Sequence, residues 1–279
     1  LSNKRVSELQ KYVNTIDATF PTSVILGIPS EYATFNADSN EMEITLNNQS
    51  PAIAKIIDGQ HRIAGLKDYK GNKFQVNITV FIDMEIEDQA NVFSTINLKQ
   101  TKVSKSLAYN LLQYATSRSP QKTCHDIAKL LNSRDDSPFY QRIKILGKAS
   151  GKKSETITQA TFVESLMQYI TKDPMTDRDL IRRGKPLPPI KDSDKNKLIF
   201  RNMFCQDKDA EIARTVYNYF KAVEVKWDKY WRDVLPGNIL NKSTGFVALM
   251  KFLRDCYLAT NKPDSIISVE EFNVILSKI

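Results

Sequence analysis

Residues 53–66, Ile53-Ala54-Lys55-Ile56-Ile57-Asp58-Gly59-Gln60-His61-Arg62-Ile63-Ala64-Gly65-Leu66, pass from a strand-like pattern to a helix-like one across a single glycine. The apolar run Ile53 to Ile57 predicts a strand, and Ile63, Leu66 and Tyr69 predict a short helix closed by Lys70-Gly71-Asn72. Gly59 permits the sharp turn between them. A strand, a glycine turn and a helix start together make an anion cradle, because the first N–H groups of a helix have no partner within it and the helix dipole favours negative charge there. Arg62 can hold phosphate oxygens in a bidentate fork. His61, one of two histidines in the chain, can donate a hydrogen bond or act as a general acid or base near neutral pH. Asp58 can hold a ribose hydroxyl or a metal, or orient His61. The alternative is structural: Asp58 caps the helix, and His61 and Arg62 are merely solvated.

Working outward, Val6, Leu9, Val13 and Ile16 share a helical face, and Ser23 to Ile28 reads as a strand ending near Pro29. Tyr32 to Phe35 and Met42 to Leu46 flank a turn-rich cluster at 36–40 and predict a hairpin. Val76, Ile78, Val80 and Ile82 alternate as in a half-buried strand. From Glu87 onward the helical period takes over, with helices expected at 87–97, 104–115, 124–131, 158–170, 209–227 and 244–257. A capping-box helix is expected at Ser268 to Glu271. Lys148 to Thr156 reads as a Gly/Ser/Lys-rich connector, and Met175 to Lys197 as irregular because of Arg182-Arg183-Gly184-Lys185 and Pro186-Leu187-Pro188-Pro189. The expected class is α+β: a mixed α/β domain over 1–98, then a basic, mainly α-helical domain over 99–279.

The chain has 279 residues, 41% hydrophobic and 26% charged, as in ordinary globular proteins. No apolar stretch is long enough to span a bilayer and the first residues lack a signal-peptide core, which argues against a membrane partner. The first residue is Leu1, so an excised fragment or trimmed chain is expected. Cys124, Cys205 and Cys256 are widely spaced and read as reduced thiols of a cytoplasmic protein, with no zinc-ligand spacing and no haem expected. Cys124 and His125 are neighbours on a helix and point about 100° apart, so they do not make a nucleophile–base pair. Trp227 and Trp231, with Tyr219, Phe220 and Tyr230, read as core and surface aromatics of a helix pair and not as a base-stacking platform.

Charge is unevenly distributed. Residues 1–98 hold 8 Lys+Arg against 12 Asp+Glu, whereas 99–279 hold 32 against 20, and 99–153 alone hold 12 against 3. A basic segment is the expected footprint of a polyanion, nucleic acid first; the alternative is a solvated basic face. Lys99, Lys102 and Lys105 would share a face if one helix ran through them, and Arg142, Lys144, Lys148, Lys152 and Lys153 extend the candidate DNA-contacting set, with Ser104 and Ser106 as hydroxyl neighbours. Gly147 to Ser154 is not a phosphate-binding P-loop: three residues separate Gly147 from Gly151 where four are needed. No helix-turn-helix or zinc-finger pattern is present.

The Asp58-Gly59-Gln60-His61-Arg62 pentapeptide, preceded by Ile56-Ile57 and followed by Ile63-Ala64-Gly65-Leu66, resembles the signature of the DGQHR-domain family. That family includes the DndB-like proteins of bacterial DNA phosphorothioation systems. Val92 to Asn97 with Gln100, Val103, Ser106 and Leu107 resembles a second block of the family, and Leu240 to Phe246 with Ala248 and Leu249 a third. The resemblance covers positions 1–115 well and the rest thinly, and the order of elements is also similar to ParB-like and sulfiredoxin-like domains. It implies a DNA-binding factor of a DNA-modification, defence or transcription-regulating system. Asp58, Gly59, Gln60, His61 and Arg62 would form a nucleotide- or phosphate-binding site, closed by Asn97 and Gln100. It implies as a rival a nucleoside-triphosphate hydrolase or weak nuclease at the same turn, with Asp58 or His61 as catalytic residues and ATP or another nucleotide bound with Mg2+. An interaction scaffold is the third class, and oligomeric state is left open.

Overall fold

The computed structural model describes residues 2–45, 52–99, 104–147 and 154–279, with backbone alone at 91, 94, 95 and 97–99. Gln100, Lys102, Lys148, Lys152 and Lys153 therefore lie outside the described residues. The chain divides into two compact units, Leu1–Lys102 and Val103–Ile279. Each mixes helices with small sheets, and no helix among the described residues is long and apolar enough to cross a membrane.

In the first unit, helix α1 (Asn3–Tyr12) leads to strand β1 (Phe20–Ile28), hairpin β2 (Ala33–Asn36) and β3 (Glu41–Ile44), strand β4 (Lys55–Asp58), helix α2 (Gln60–Leu66), strand β5 (Val76–Ile82) and helix α3 (Ile86–Lys99). This is the element order expected from the sequence. β1 is the middle strand of three, with β4 antiparallel on one side and β5 parallel on the other. β1 is central because its run from Val24 to Ile28 can be buried on both faces, and Val24 and Ile28 are almost fully covered. The register Val24↔Ile78, Leu26↔Val80, Ile28↔Ile82 puts these six apolar residues on one face, with Ile25 and Phe81 on the other. Helices α1 and α2 pack at close range because Gly65 has no side chain, and a Cβ there would lie 2.6 Å from Leu9 Cβ. Asn14 fastens their far ends, donating to Asp68 O at 3.1 Å and accepting from Lys70 N at 3.0 Å.

The second unit contains helices α4 (Lys105–Asn110), α5 (Pro120–Ser133), α6 (Gln159–Met167), α7 (Pro174–Arg182), α8 (Arg201–Cys205), α9 (Asp209–Lys226), α10 (Asp228–Arg232), α11 (Ser243–Ala259) and α12 (Val269–Leu276). A two-residue parallel pair, β6 (Ile143–Lys144) and β7 (Ile157–Thr158), joins them. Its core centres on Phe139, whose ring lies 4.6 Å from Phe220, 5.3 Å from Phe162, 5.7 Å from Trp231 and 5.8 Å from Phe246. Edge-to-face packing of that kind adds to the burial gain of each ring. Trp231 is fully buried, its indole N–H donating to Pro138 O at 2.9 Å. Of the aromatics read as a helix pair, Tyr219, Phe220 and Trp231 are core, Trp227 is partly buried and Tyr230 is exposed. The capping box at Ser268 and Glu271 is formed in both directions.

Two sequence expectations need correction here. The stretch 175–197 is not irregular throughout: α7 begins at Pro174, with Asp173 accepting from Thr176 N at 3.2 Å. The Asp-Pro pair, an N-cap followed by proline at the first helical position, was the readable signal. The downstream proline run is held by Arg201, which donates to Pro188 O at 3.1 Å while pairing with Asp177. The segment 99–105 is not one helix either. Lys99 ends α3, whereas Ser104 is extended (ψ 143°) and caps α4 by accepting from Leu107 N at 3.2 Å. Lys99 and Lys105 sit on different helices and do not share a face.

Candidate functional site

β4 ends at Asp58 and α2 starts at Gln60, so the whole change of direction falls on Gly59, at φ +100° and ψ 9°. That left-handed conformation is open to glycine and costly for other residues. The site is tight as well, since a Cβ on Gly59 would lie 2.9 Å from Val24 Cγ2. The first bond of the α2 ladder runs from Ile63 N to Gly59 O at 3.0 Å. The amides of Gln60, His61 and Arg62 precede it and face the helix start.

The side chains of the turn are heavily engaged. Arg62 Nη2 donates to Asp58 Oδ2 at 2.7 Å, one turn of chain earlier, with both side chains largely covered. Arg62 Nη1 donates to Thr22 O, and to Thr22 Oγ1 at 2.8 Å. The guanidinium thereby staples the β4–α2 turn to β1. Gln60 Nε2 donates to Ile56 O at 3.1 Å. His61 Nε2 accepts from Ser2 N at 2.9 Å, at the cap of α1. With that lone pair occupied, the imidazole proton of the neutral ring resides on Nδ1. The picture of Asp58 as N-cap gives way to Gly59 in that role, and Asp58 orients Arg62 and not His61.

A cavity of about 510 Å³ lies at the other end of β4, where β1 and β5 terminate; Gly27, Pro29, Lys55, Asp83, Glu85 and Gln89 are among its lining. None of residues 58–62 lines it. Asp83 is fixed there by accepting from Ser30 N at 2.7 Å, and hydrogen bonding by the Ser30 hydroxyl, then by Ser30 N, holds its carboxyl below the usual range. Among the described residues no group of three or more His, Cys, Asp and Glu side chains is placed to hold a metal ion.

Residues of the expected DNA-contacting set are placed differently from a single basic stripe. Arg142 is buried, donating to Arg232 O at 3.0 Å beside the Trp231 ring, and burial lowers its pKa. It is not a solvent-facing phosphate contact: the segment Gln141 to Lys144 runs through the core side of the unit, a placement its charge gave no hint of. Lys105 pairs with Glu164 at 2.6 Å, Lys122 with Asp126 at 3.1 Å and Arg134 with Asp136 at 2.7 Å. Arg118 is ion-paired with Asp207 and Asp209 and lies over the Phe204 ring. Ser104 and Ser106 are spent on internal bonds, Ser106 Oγ accepting from Ala160 N at 3.2 Å. Lys105 and Arg118 are thus balanced by carboxylates distant in sequence, and Lys122 and Arg134 by carboxylates four and two residues away. Lys144 is half-buried in β6. Asn97 lies in α3, where the backbone alone is described.

The cysteines are chemically quiet. Burial pushes the Cys124 thiol well up, raises Cys205 and pushes Cys256 up to about 12. His125 is fully buried and Gln159 Nε2 contacts its Nδ1, so the sequence neighbours Cys124 and His125 form no catalytic pair. No protein-family model, curated protein or solved structure matches this chain.

Proposed function

We propose that the first unit is an anion-binding module of the ParB/sulfiredoxin-like kind, taking a nucleotide or DNA phosphate at the 58–62 turn, and that the protein acts as a DNA-binding factor of a DNA-modification, defence or regulatory system. One observation supports this reading: Gly59 is left-handed at the start of α2, and the Arg62 guanidinium, paired with Asp58, lies 3.3 Å from where a Gly59 Cβ would stand. The Asp58–Arg62 pair then works as a latch. A phosphate oxygen replaces the Asp58 carboxylate on the guanidinium, the α2 amides supply neutral donors, and His61 Nδ1–H adds another. The donor set suits phosphate, while Asp58, committed to Arg62, makes a poor resident-metal ligand. Mg2+ would enter with the nucleotide.

Binding is favoured over hydrolysis because neither catalytic candidate is poised as a base. The Nε2 lone pair of His61 is occupied by Ser2 N, and Asp58 is ion-paired. The competing reading is a purely structural staple, supported by the same bonds from Arg62 to Asp58 and Thr22. A thermal-shift and calorimetric panel of nucleoside triphosphates and duplex DNA separates the two. Arg62→Ala and His61→Ala should abolish a ligand-induced shift that wild type shows, and a wild type unmoved by every phosphate ligand refutes the binding reading. Phosphate release equal to the buffer background is expected throughout. For DNA, the expected contacts are Lys99, Lys102, Lys144, Lys148, Lys152 and Lys153. Six phosphate contacts give a slope of log K against log salt of about −5. A flat response removes the DNA contact.

A further inference from the structure

β5 is an edge strand. It pairs with β1 on one side, and among the described residues no strand pairs with the other. Its sequence, Val76-Asn77-Ile78-Thr79-Val80-Phe81-Ile82, has no charge and no proline; its register with β1 shifts once, between Val76 and Ile78, and is regular from Ile78 to Ile82. Edge strands are ordinarily blunted by one of these devices, because alternate N–H and C=O groups face outward as a template. Here the template also carries apolar side chains: Ile78 is 57% and Ile82 39% exposed, although both continue the apolar face of Val24 and Ile28.

The flanks of β5 differ in sign. Before it come Lys67, Lys70 and Lys73 with Asp68 alone opposing them; after it come Asp83, Glu85, Glu87 and Asp88 with no basic residue. A strand that is basic at its start and acidic at its end repels a parallel copy of itself and attracts an antiparallel one. We infer that β5 is a homodimerisation edge, pairing antiparallel with β5 of a second copy about a two-fold axis at Thr79. That register sets Val76 opposite Ile82, Ile78 opposite Val80 and Thr79 opposite itself. It brings Lys73 of each copy to the strand end that carries Asp83 and Glu85 in the other. The three-stranded sheet becomes one of six strands with a continuous apolar face, an isologous arrangement that closes on itself and leaves no edge open at β5.

The test is the mass of the full chain in solution over a hundredfold range of concentration, by light scattering and sedimentation. The expected result is about twice the 31.8 kDa chain mass. Ile78→Lys, at an exposed position that the single chain tolerates, should weaken the dimer at least tenfold with unchanged circular dichroism. Lys73→Glu should weaken it and the double variant Lys73→Glu/Glu85→Lys should recover it, a pattern that a folding defect does not produce. Thr79→Cys should give a reducible covalent dimer under mild oxidation, since directly opposed antiparallel residues lie within disulfide reach. A monomer at every concentration overturns the inference. So does a dimer that Ile78→Lys leaves unchanged and Thr79→Cys fails to cross-link.

Discussion

Replacing Gly59 by alanine tests the turn on which the site is built. Two costs follow from the geometry. Holding alanine at φ +100° costs about 1–2 kcal/mol, the usual penalty of left-handed backbone for a residue with a Cβ. The new methyl would lie 2.9 Å from Val24 Cγ2 and 3.2 Å from Cγ1, and Val24 is 1% exposed with little room to retreat. Overpacking of this kind costs about 1–3 kcal/mol. The sum is about 2–5 kcal/mol, which in a unit of this size lowers the melting midpoint by at least about 8 °C. Both tryptophans, Trp227 and Trp231, belong to the second unit. Amide hydrogen exchange of β1 and α2 therefore reports the loss, while tryptophan fluorescence serves as the internal control. Combining Gly59→Ala with Val24→Ala separates the terms: removing the Val24 methyls relieves the crowding and leaves the backbone strain, so the double variant should be less destabilised than the two singles added together. A single variant costing under about 0.5 kcal/mol, or strict additivity of the pair, refutes the reasoning.

Two further outcomes concern the second unit. Asp177 and Arg201 are both 6% exposed, so Asp177→Ala strands a buried guanidinium and should cost about 3–5 kcal/mol in fluorescence-monitored denaturation. Asp177→Leu/Arg201→Met should recover most of that, and a recovery no better than the single variant would falsify the pairing argument. His125 is buried, which lowers its pKa from 6.5. The folded chain therefore resists a proton that the unfolded chain accepts, so stability is full above about pH 6.5 and falls as pH drops toward the folded value. The slope is at most about 1.4 kcal/mol per pH unit. His125→Gln should flatten this window in pH-dependent denaturation, and an unchanged slope would assign the effect elsewhere.

The turn was legible because its signals are local. A β-like apolar run, one glycine and a helical period are read within fourteen residues, and the structure places β4, Gly59 and α2 in that order. The capping box at Ser268 and the α9 stripe of Ile212, Val216 and Val223 were legible for the same reason. What the pentapeptide could not disclose is where its polar atoms go. Arg62 reaches Thr22, forty residues earlier in the chain, and His61 reaches Ser2, fifty-nine residues away. The basic segment misled similarly. Its charge count was right, but the carboxylates balancing Arg118 lie about ninety residues downstream, and Arg142 is drawn inside by packing against Trp231.

Taken alone, the sequence determined the order of strands and helices in the first unit and the longer helices of the second, that Gly59 must carry the bend, and how charge is shared along the chain, since each depends on near neighbours and on side-chain type. Only the tertiary structure decided which cations are neutralised, that Arg62 is stapled to Asp58 and β1, and that β5 forms an uncharged outer edge. Ion pairing and strand order depend on distances between residues far apart in the chain, and those are set by how the apolar faces pack.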